Sequence, residues 1–246
     1  MSKKTTIGGA SGGKSGSRGG IGGGQRDLRV NVKTARKRSA SSAAWLDRQL
    51  NDPYVAAAKR DGFRSRAAFK LKEIDARYKL LKPGQRVVDL GAAPGGWSQV
   101  AADRVKSLDG KGQVVAIDYL GVEPIPGVEI IELDFTDPAA EALLKSRLRD
   151  GQADIVLSDM AAPTIGHTRT DHMRIMGLAE MAGAFAADVL APGGAFLCKV
   201  LQGGTERELL DGLKRNFAVV RHVKPPASRA DSAELYVLAT GFRGQT

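Results

Sequence analysis

The chain has a single cysteine, Cys198, which excludes a disulfide framework and any multi-cysteine zinc or iron–sulfur site. Its three histidines, His167, His172 and His222, stand at no ligand spacing, so no metal is expected. No apolar run approaches the ~18 residues a membrane helix needs. The lysines near the start are not followed by the apolar stretch of a secretory signal. A reducing, cytoplasmic setting without a membrane is the expectation. What remains is ordinary globular material: 246 residues, 42% hydrophobic and 26% charged, enough for one domain with a buried core and an appendage.

Charge is the first positive signal. The net charge is +10, and residues 1–44 hold ten bases against one acid, Asp27. The other residues are therefore close to neutral. Ten glycines fall within residues 8–24, and such a tract has no apolar surface to offset its backbone entropy. Residues 1–44 are expected to be a disordered basic arm that meets a polyanion, and residues 45–246 a globular domain. Within the arm, Gly8 to Ser15 spells the phosphate-loop pattern. That motif works only between a strand and a helix N-terminus, and neither flanks it, so it is set aside.

From residue 45 onward the pattern alternates. Residues 45–60 suggest a helix broken at Asp52-Pro53, and Ser65 to Leu81 a second helix that Lys82-Pro83-Gly84 ends. Short β-branched runs then occupy 86–90, 113–118, 129–135, 154–159, 194–201, 217–223 and 234–240. Helical stretches separate most of them, near 96–105, 138–149, 172–190 and 205–215. Strand and helix in repetition predict a doubly wound α/β sheet, mostly parallel, with ligands at the carboxyl ends of its strands. The polar residues closing the apolar runs are Asp89, Asp118, Asp134, Asp159 and Lys199.

The glycine loop Asp89-Leu90-Gly91-Ala92-Ala93-Pro94-Gly95-Gly96-Trp97 follows the first strand and opens a helix. Small residues there let the backbone approach a ligand. No lysine follows Gly96, which disfavours a triphosphate, and the spacing is not that of a dinucleotide fingerprint. With Asp118 ending the next strand, the set suits a nucleoside with a free ribose and a positively charged substituent. Asp118 is placed for the ribose hydroxyls and Asp134 for a base edge.

The strings SRAAFKL (65–71), VVDLGAAPGGWSQV (87–100), SDMAAP (158–163), LAPGGAFLCKVLQG (190–203) and SRADSAELYVLATGF (228–242) together resemble the FtsJ-type RNA 2′-O-ribose methyltransferases. The likeness is strongest to the bacterial enzymes that methylate a uridine of large-subunit ribosomal RNA, and it runs from about Arg60 to Phe242. It implies a class I, Rossmann-like methyltransferase: a seven-stranded, mostly parallel sheet with helices on both faces and an antiparallel last strand. S-adenosyl-L-methionine would be the cofactor, held at Gly95, Trp97, Asp118, Asp134 and Asp159. The catalytic set would be Lys70, Asp159, Lys199 and Glu234, with Lys199 as base. The loop SDMAAP has one alanine more than the common SDMAP form. The partner would be ribosomal RNA or the large subunit, and the protein would act as a monomer.

Methyl transfer from a sulfonium to a sugar hydroxyl is an in-line displacement in which the donor is already activated. The protein must align the acceptor and take its proton. Alignment contributes on the order of 7–11 kcal/mol in well-oriented cases, and general-base catalysis ~10²–10⁴-fold. A lysine serves as base only in its neutral form. For the RNA, residues 59–72 offer Lys59, Arg60, Arg64, Arg66, Lys70 and Lys72; these bases are expected to meet phosphates, while Phe63 and Phe69 enter the core. A 2′-O-methyltransferase acting on transfer RNA or another RNA would share the same four catalytic residues. An amino-directed methyltransferase would need an Asn-Pro-Pro-Tyr-like loop where Asp159-Met160-Ala161-Ala162-Pro163 stands. A non-catalytic RNA-binding assembly factor would not need the four residues at all.

Overall fold

A computed structural model describes Met1 and residues 40–163, 166–203 and 207–244. The glycine-rich tract and its phosphate-loop lookalike lie outside the described residues. The first helix, α1, spans Ala40–Leu50, so the domain boundary expected at residue 44 falls inside a helix. Asp52 caps the next one, α2 (Pro53–Arg60), by accepting from the Tyr54 N–H at 3.0 Å, while Pro53 occupies a first-turn position that needs no N–H. Helix α3 (Ala67–Tyr78) ends where Lys79 turns left-handed.

The remaining elements run β1 (Arg86–Leu90), α4 (Gly96–Val105), β2 (Gln113–Asp118), β3 (Glu129–Glu132), α5 (Ala140–Arg147), β4 (Ala153–Ser158), α6 (Thr168–Val189), β5 (Leu190–Leu201), α7 (Arg207–Asn216), β6 (Phe217–Val223) and β7 (Glu234–Phe242). They form one seven-stranded sheet in the order β3-β2-β1-β4-β5-β7-β6. The first five strands across are parallel, and β7 lies antiparallel between β5 and β6. The chain builds outward from β1 to β3 and then resumes on the other side of β1 with β4. Loops leaving β1 and β4 therefore diverge and open a crevice at their carboxyl ends. Strand β3 stops short of the run expected for it because Asp134 accepts from both the Thr136 N–H and its hydroxyl at 2.8 Å, folding the chain into a turn.

The two-residue period of the strands sorts the core into two layers. Val87, Ile155, Leu157, Leu197, Tyr236 and Leu238 pack with α3 and α4 on one face. Val88, Leu90, Val156, Phe196, Cys198 and Val237 pack with α5, α6 and α7 on the other. Each large side chain buried this way contributes about 1.5–3 kcal/mol. The same alternation fixes the site. Lys199 follows Leu197 by two residues, Asp159 follows Leu157 by two, and Glu234 precedes Tyr236 by two. All four catalytic candidates thus belong to the layer shared with α3, which carries Lys70.

Candidate active site

Just past β4, Asp159 stands at the centre of a chain of side-chain contacts. Lys199 Nζ donates to the main-chain oxygen of Asp159 at 2.6 Å and lies 3.2 Å from its Oδ1. The Tyr236 hydroxyl, paired across the ladder from Lys199, donates to Asp159 Oδ1 at 2.8 Å. Lys70 Nζ donates to the Tyr236 oxygen at 3.2 Å and to Glu234 Oε2 at 2.6 Å. Glu234 Oε1 in turn accepts from the Ser228 hydroxyl at 2.8 Å. Lys70, Asp159, Lys199 and Glu234, separated by up to 164 residues in sequence, meet as one network.

The electrostatics follow from that arrangement. Burial pushes the Asp159 carboxyl upward, but Lys199, Lys70 and the bond from Tyr236 outweigh it and hold the group below the usual carboxylate range. Asp159 is therefore a permanent anion near neutrality. Burial, reinforced by Asp159 and Glu234, raises Tyr236 well above an ordinary phenol, so its hydroxyl keeps its proton and serves as a neutral link between two charged groups. Cys198, beside Lys199, is pushed up to about 12 by burial and takes no part as a thiolate.

Tyr236 is the member of this network that the sequence pattern does not disclose. In ELYVLAT it reads as one more apolar strand position. Its spacing of two from Glu234 is the signal that could have exposed it, since both must then face Lys70.

Beside this cluster lies a cavity of about 670 Å³, lined by Gly91, Asp118, Asp134, Asp159, the loop Met160–Pro163 and the α6 residues Arg174 and Met181, among others. Asp118 closes β2 with its Oδ2 accepting from the Ala93 N–H of the glycine loop at 2.9 Å and its Oδ1 from the Leu120 N–H at 2.8 Å. It ties two walls together while facing the cavity. Gly91 adopts φ +74°, and a Cβ there would sit 2.6 Å from Met160 Cγ and 2.9 Å from Met160 Cα. Only glycine lets the loop after β1 approach the loop after β4 so closely. The additional alanine of SDMAAP is absorbed in the cavity wall.

Gly95 and Trp97 are not part of that lining. The Trp97 side chain turns into the core, its Nε1–H donating to the Ala67 oxygen at 2.9 Å and its ring 5.6 Å from that of Tyr236. The indole therefore supports α3 and Tyr236, and a contact of Trp97 with a ligand at the glycine loop would be made by its main chain. Below the glycine loop, Asp89 is fully buried, with Oδ2 accepting from the Ser98 hydroxyl and Oδ1 without a partner. Burial raises it to about 7.

The basic stretch 59–72 is differently employed than its composition implies. Arg66 is bound to Asp52 at 2.9 Å and to the Ala227 oxygen, and Lys70 belongs to the network around Asp159. Lys72 lies over the rings of Phe63 and Phe69, at 4.8 and 5.1 Å from their centroids. Arg64 donates to three main-chain oxygens. Much of the charge expected to face phosphates is engaged in holding α3 and its neighbours. Among the described residues, no group of three or more His, Cys, Asp or Glu is placed to hold a metal ion, and no helix is long and apolar enough to cross a membrane.

A twisted, mostly parallel sheet with a nucleoside-sized cavity at its switch point, beside a lysine–aspartate–lysine–glutamate cluster, defines a class of group-transferring α/β enzymes. The FtsJ-like methyltransferase model matches residues 63–242. The chain is 63% identical to the ribosomal RNA large subunit methyltransferase E of Parvibaculum lavamentivorans, over 98% of this chain and 96% of the relative. It is 59% identical to the protein of that name from Rhodospirillum rubrum, over 96% and 92%. A crystal structure from Plasmodium falciparum, provisionally described as a ribosomal RNA methyltransferase, superposes with a TM-score of 0.66 at 31% identity, covering 74% of this chain and all of that one. Human methyltransferase-like protein 13, in complex with SAH, shares the fold at a TM-score of 0.50 and 15% identity, over 72% of this chain and 83% of that one. The protein belongs to the FtsJ-like methyltransferase family.

Proposed function

We propose that the protein transfers a methyl group from S-adenosyl-L-methionine to the ribose 2′-hydroxyl of a uridine in large-subunit (23S) ribosomal RNA, within the large subunit, as a cytoplasmic monomer. The observation that carries this reading is the double position of Asp159, which lines the cavity and also binds Lys199 through both its carboxylate and its main-chain oxygen. Donor and acceptor sites thus share one residue.

The cavity suits the cofactor. Its volume lies in the ~300–1,000 Å³ range of small-ligand sites; Asp118 would accept from the ribose hydroxyls, Asp134 would meet the base edge, and the carboxylates favour a cationic ligand. Bound there, S-adenosylmethionine would supply an activated methyl on sulfur. Lys199 takes the proton of the attacking hydroxyl. In its neutral form the amine donates both hydrogens to Asp159 and presents its lone pair to the acceptor. Asp159 orients that amine, Tyr236 passes the alignment to Lys70, and Glu234 holds Lys70 in place. RNA affinity comes from exposed cations such as Lys59 and from the basic residues before Ala40, in a salt-dependent manner.

The test is to incubate the protein with tritiated S-adenosylmethionine and either isolated large subunits or protein-free 23S RNA, then locate the label by mass mapping of nucleosides. A 2′-O-methyluridine is expected, formed faster on subunits. Label on a base, or on transfer RNA in preference, overturns the proposal.

A further inference from the structure

Between α2 and α3, residues 62–67 ride on the glycine loop. The Arg64 main-chain N–H donates to Gln99 Oε1 at 2.9 Å, and Gln99 Nε2 donates to the Gly62 oxygen at 3.0 Å. Ser65 Oγ lies 2.5 Å from where a Cβ on Gly96 would be, so the Ser65 side chain packs directly on the Gly96 backbone. The Arg64 side chain reaches further. Its Nη1 donates to the Glu123 oxygen at 2.5 Å and to the Pro94 oxygen at 3.4 Å, and its Nη2 to the Pro124 oxygen at 2.7 Å. Pro94 belongs to the loop after β1, whereas Glu123 and Pro124 follow the turn that Asp118 makes after β2. The aliphatic part of Arg64 packs at the α-carbon of Gly95, its Cδ 3.3 Å from a Cβ built there.

From this geometry we infer that Arg64 is a positioning residue for the cofactor site: its guanidinium clamps the two loops that shape the cavity and fixes them to the segment leading into α3, and so to Lys70. The planar fork reaches three carbonyls on the two loops with two nitrogens held in fixed geometry, whereas lysine offers a single nitrogen in their place. The alternative employment for an arginine in this basic stretch is contact with an RNA phosphate. Three of its five N–H donors, both on Nη1 and one on Nη2, go to carbonyls, and carbonyl acceptors bring no charge to be displaced by salt. The inference rests on the assignment of the cavity to S-adenosylmethionine.

Three variants test it in the full-length protein: Arg64→Met, Arg64→Lys and Gln99→Met. Steady-state transfer to large-subunit RNA gives KM for S-adenosylmethionine and kcat, and RNA binding is measured against salt. With the clamp lost, Arg64→Met is expected to raise the cofactor KM roughly tenfold or more. Arg64→Lys should be nearly as poor, because it keeps the charge and loses the fork. Gln99→Met removes no charge, yet should raise the same KM by releasing the segment. All three should retain the wild-type slope of log K for RNA against log salt. The proposal is overturned if Arg64→Met lowers that slope by about one while Arg64→Lys restores it and the cofactor KM stays at the wild-type value. It is equally overturned if Gln99→Met leaves the cofactor KM untouched. Should Arg64→Met fail to fold, Arg64→Lys and Gln99→Met decide alone. Failure of the cofactor assignment itself would show in the wild type, as no binding of S-adenosylmethionine by calorimetry.

Discussion

Two regions share the carboxyl edge of the sheet and are built by opposite means. The candidate catalytic cluster is made of side chains, each bonded to the next from Lys199 through Asp159, Tyr236 and Lys70 to Glu234. The neighbouring cavity is shaped by backbone turns that carboxylates and glycines hold close together. Under the proposed function, that difference separates binding from chemistry. A cluster of side chains can lose one member and leave the fold and the cofactor site standing. A cavity of close-packed backbone cannot accept even one methyl group at its tightest point.

Gly91→Ala breaks the comparison most severely on the cavity side. Left-handed backbone strain alone costs about 1–3 kcal/mol, and the new methyl collides with the main chain of Met160. Calorimetry should find no measurable cofactor binding, and thermal melts a lower midpoint. Wild-type affinity in this variant would mean the two loops are not in close contact. On the cluster side, Tyr236→Phe removes the neutral link and leaves the Lys70 and Asp159 charges short of a partner. Such a loss costs about 1–3 kcal/mol in a buried setting. We expect kcat to fall at least tenfold with the cofactor KM near the wild-type value; a rise in KM alone would place the tyrosine in cofactor binding instead.

A subtler effect belongs to Asp89, beneath the glycine loop. Its folded pKa of about 7 exceeds the ~3.9 of an unfolded aspartate. Between those values the folded state holds a proton that the unfolded chain has released. This group's contribution to stability therefore falls as pH rises from about 4 to 7 and is level above. Asp89→Asn should remove that component, making melting midpoints between pH 5 and 8 less pH-dependent than in the wild type. Identical pH profiles for both proteins would show that Asp89 is ionised throughout.

Much of this architecture is legible in the sequence. β-branched runs bounded by Gly, Pro and Asp located β1, β2 and β6 to the residue, because those strands are fully defined by local pattern and turn chemistry. Asp118, Asp159 and Lys199 were found as polar ends of apolar runs. Lys70 and Glu234 came from resemblance, since an exposed-looking charge at a helix or strand start has no local mark of its function. The internal partners of Trp97 and of the cations in residues 59–72 were not legible for a related reason: sequence shows a side chain's chemistry but not its long-range partner. An arginine facing carbonyls and an arginine facing phosphate are written with the same letter. Tyr236 escaped because an apolar strand pattern conceals a hydroxyl whose partners lie 77 and 166 residues away.

The central claim is that chemistry and cofactor binding are separable and meet at Asp159. Lys199→Ala tests this most directly, with calorimetric affinity for S-adenosylmethionine and single-turnover methyl transfer to large-subunit RNA measured on the same preparation. The variant should bind S-adenosylmethionine within a few-fold of the wild-type affinity and transfer methyl at a rate reduced by roughly 10²–10⁴. Transfer at near the wild-type rate, or loss of cofactor affinity in step with loss of rate, would contradict the claim.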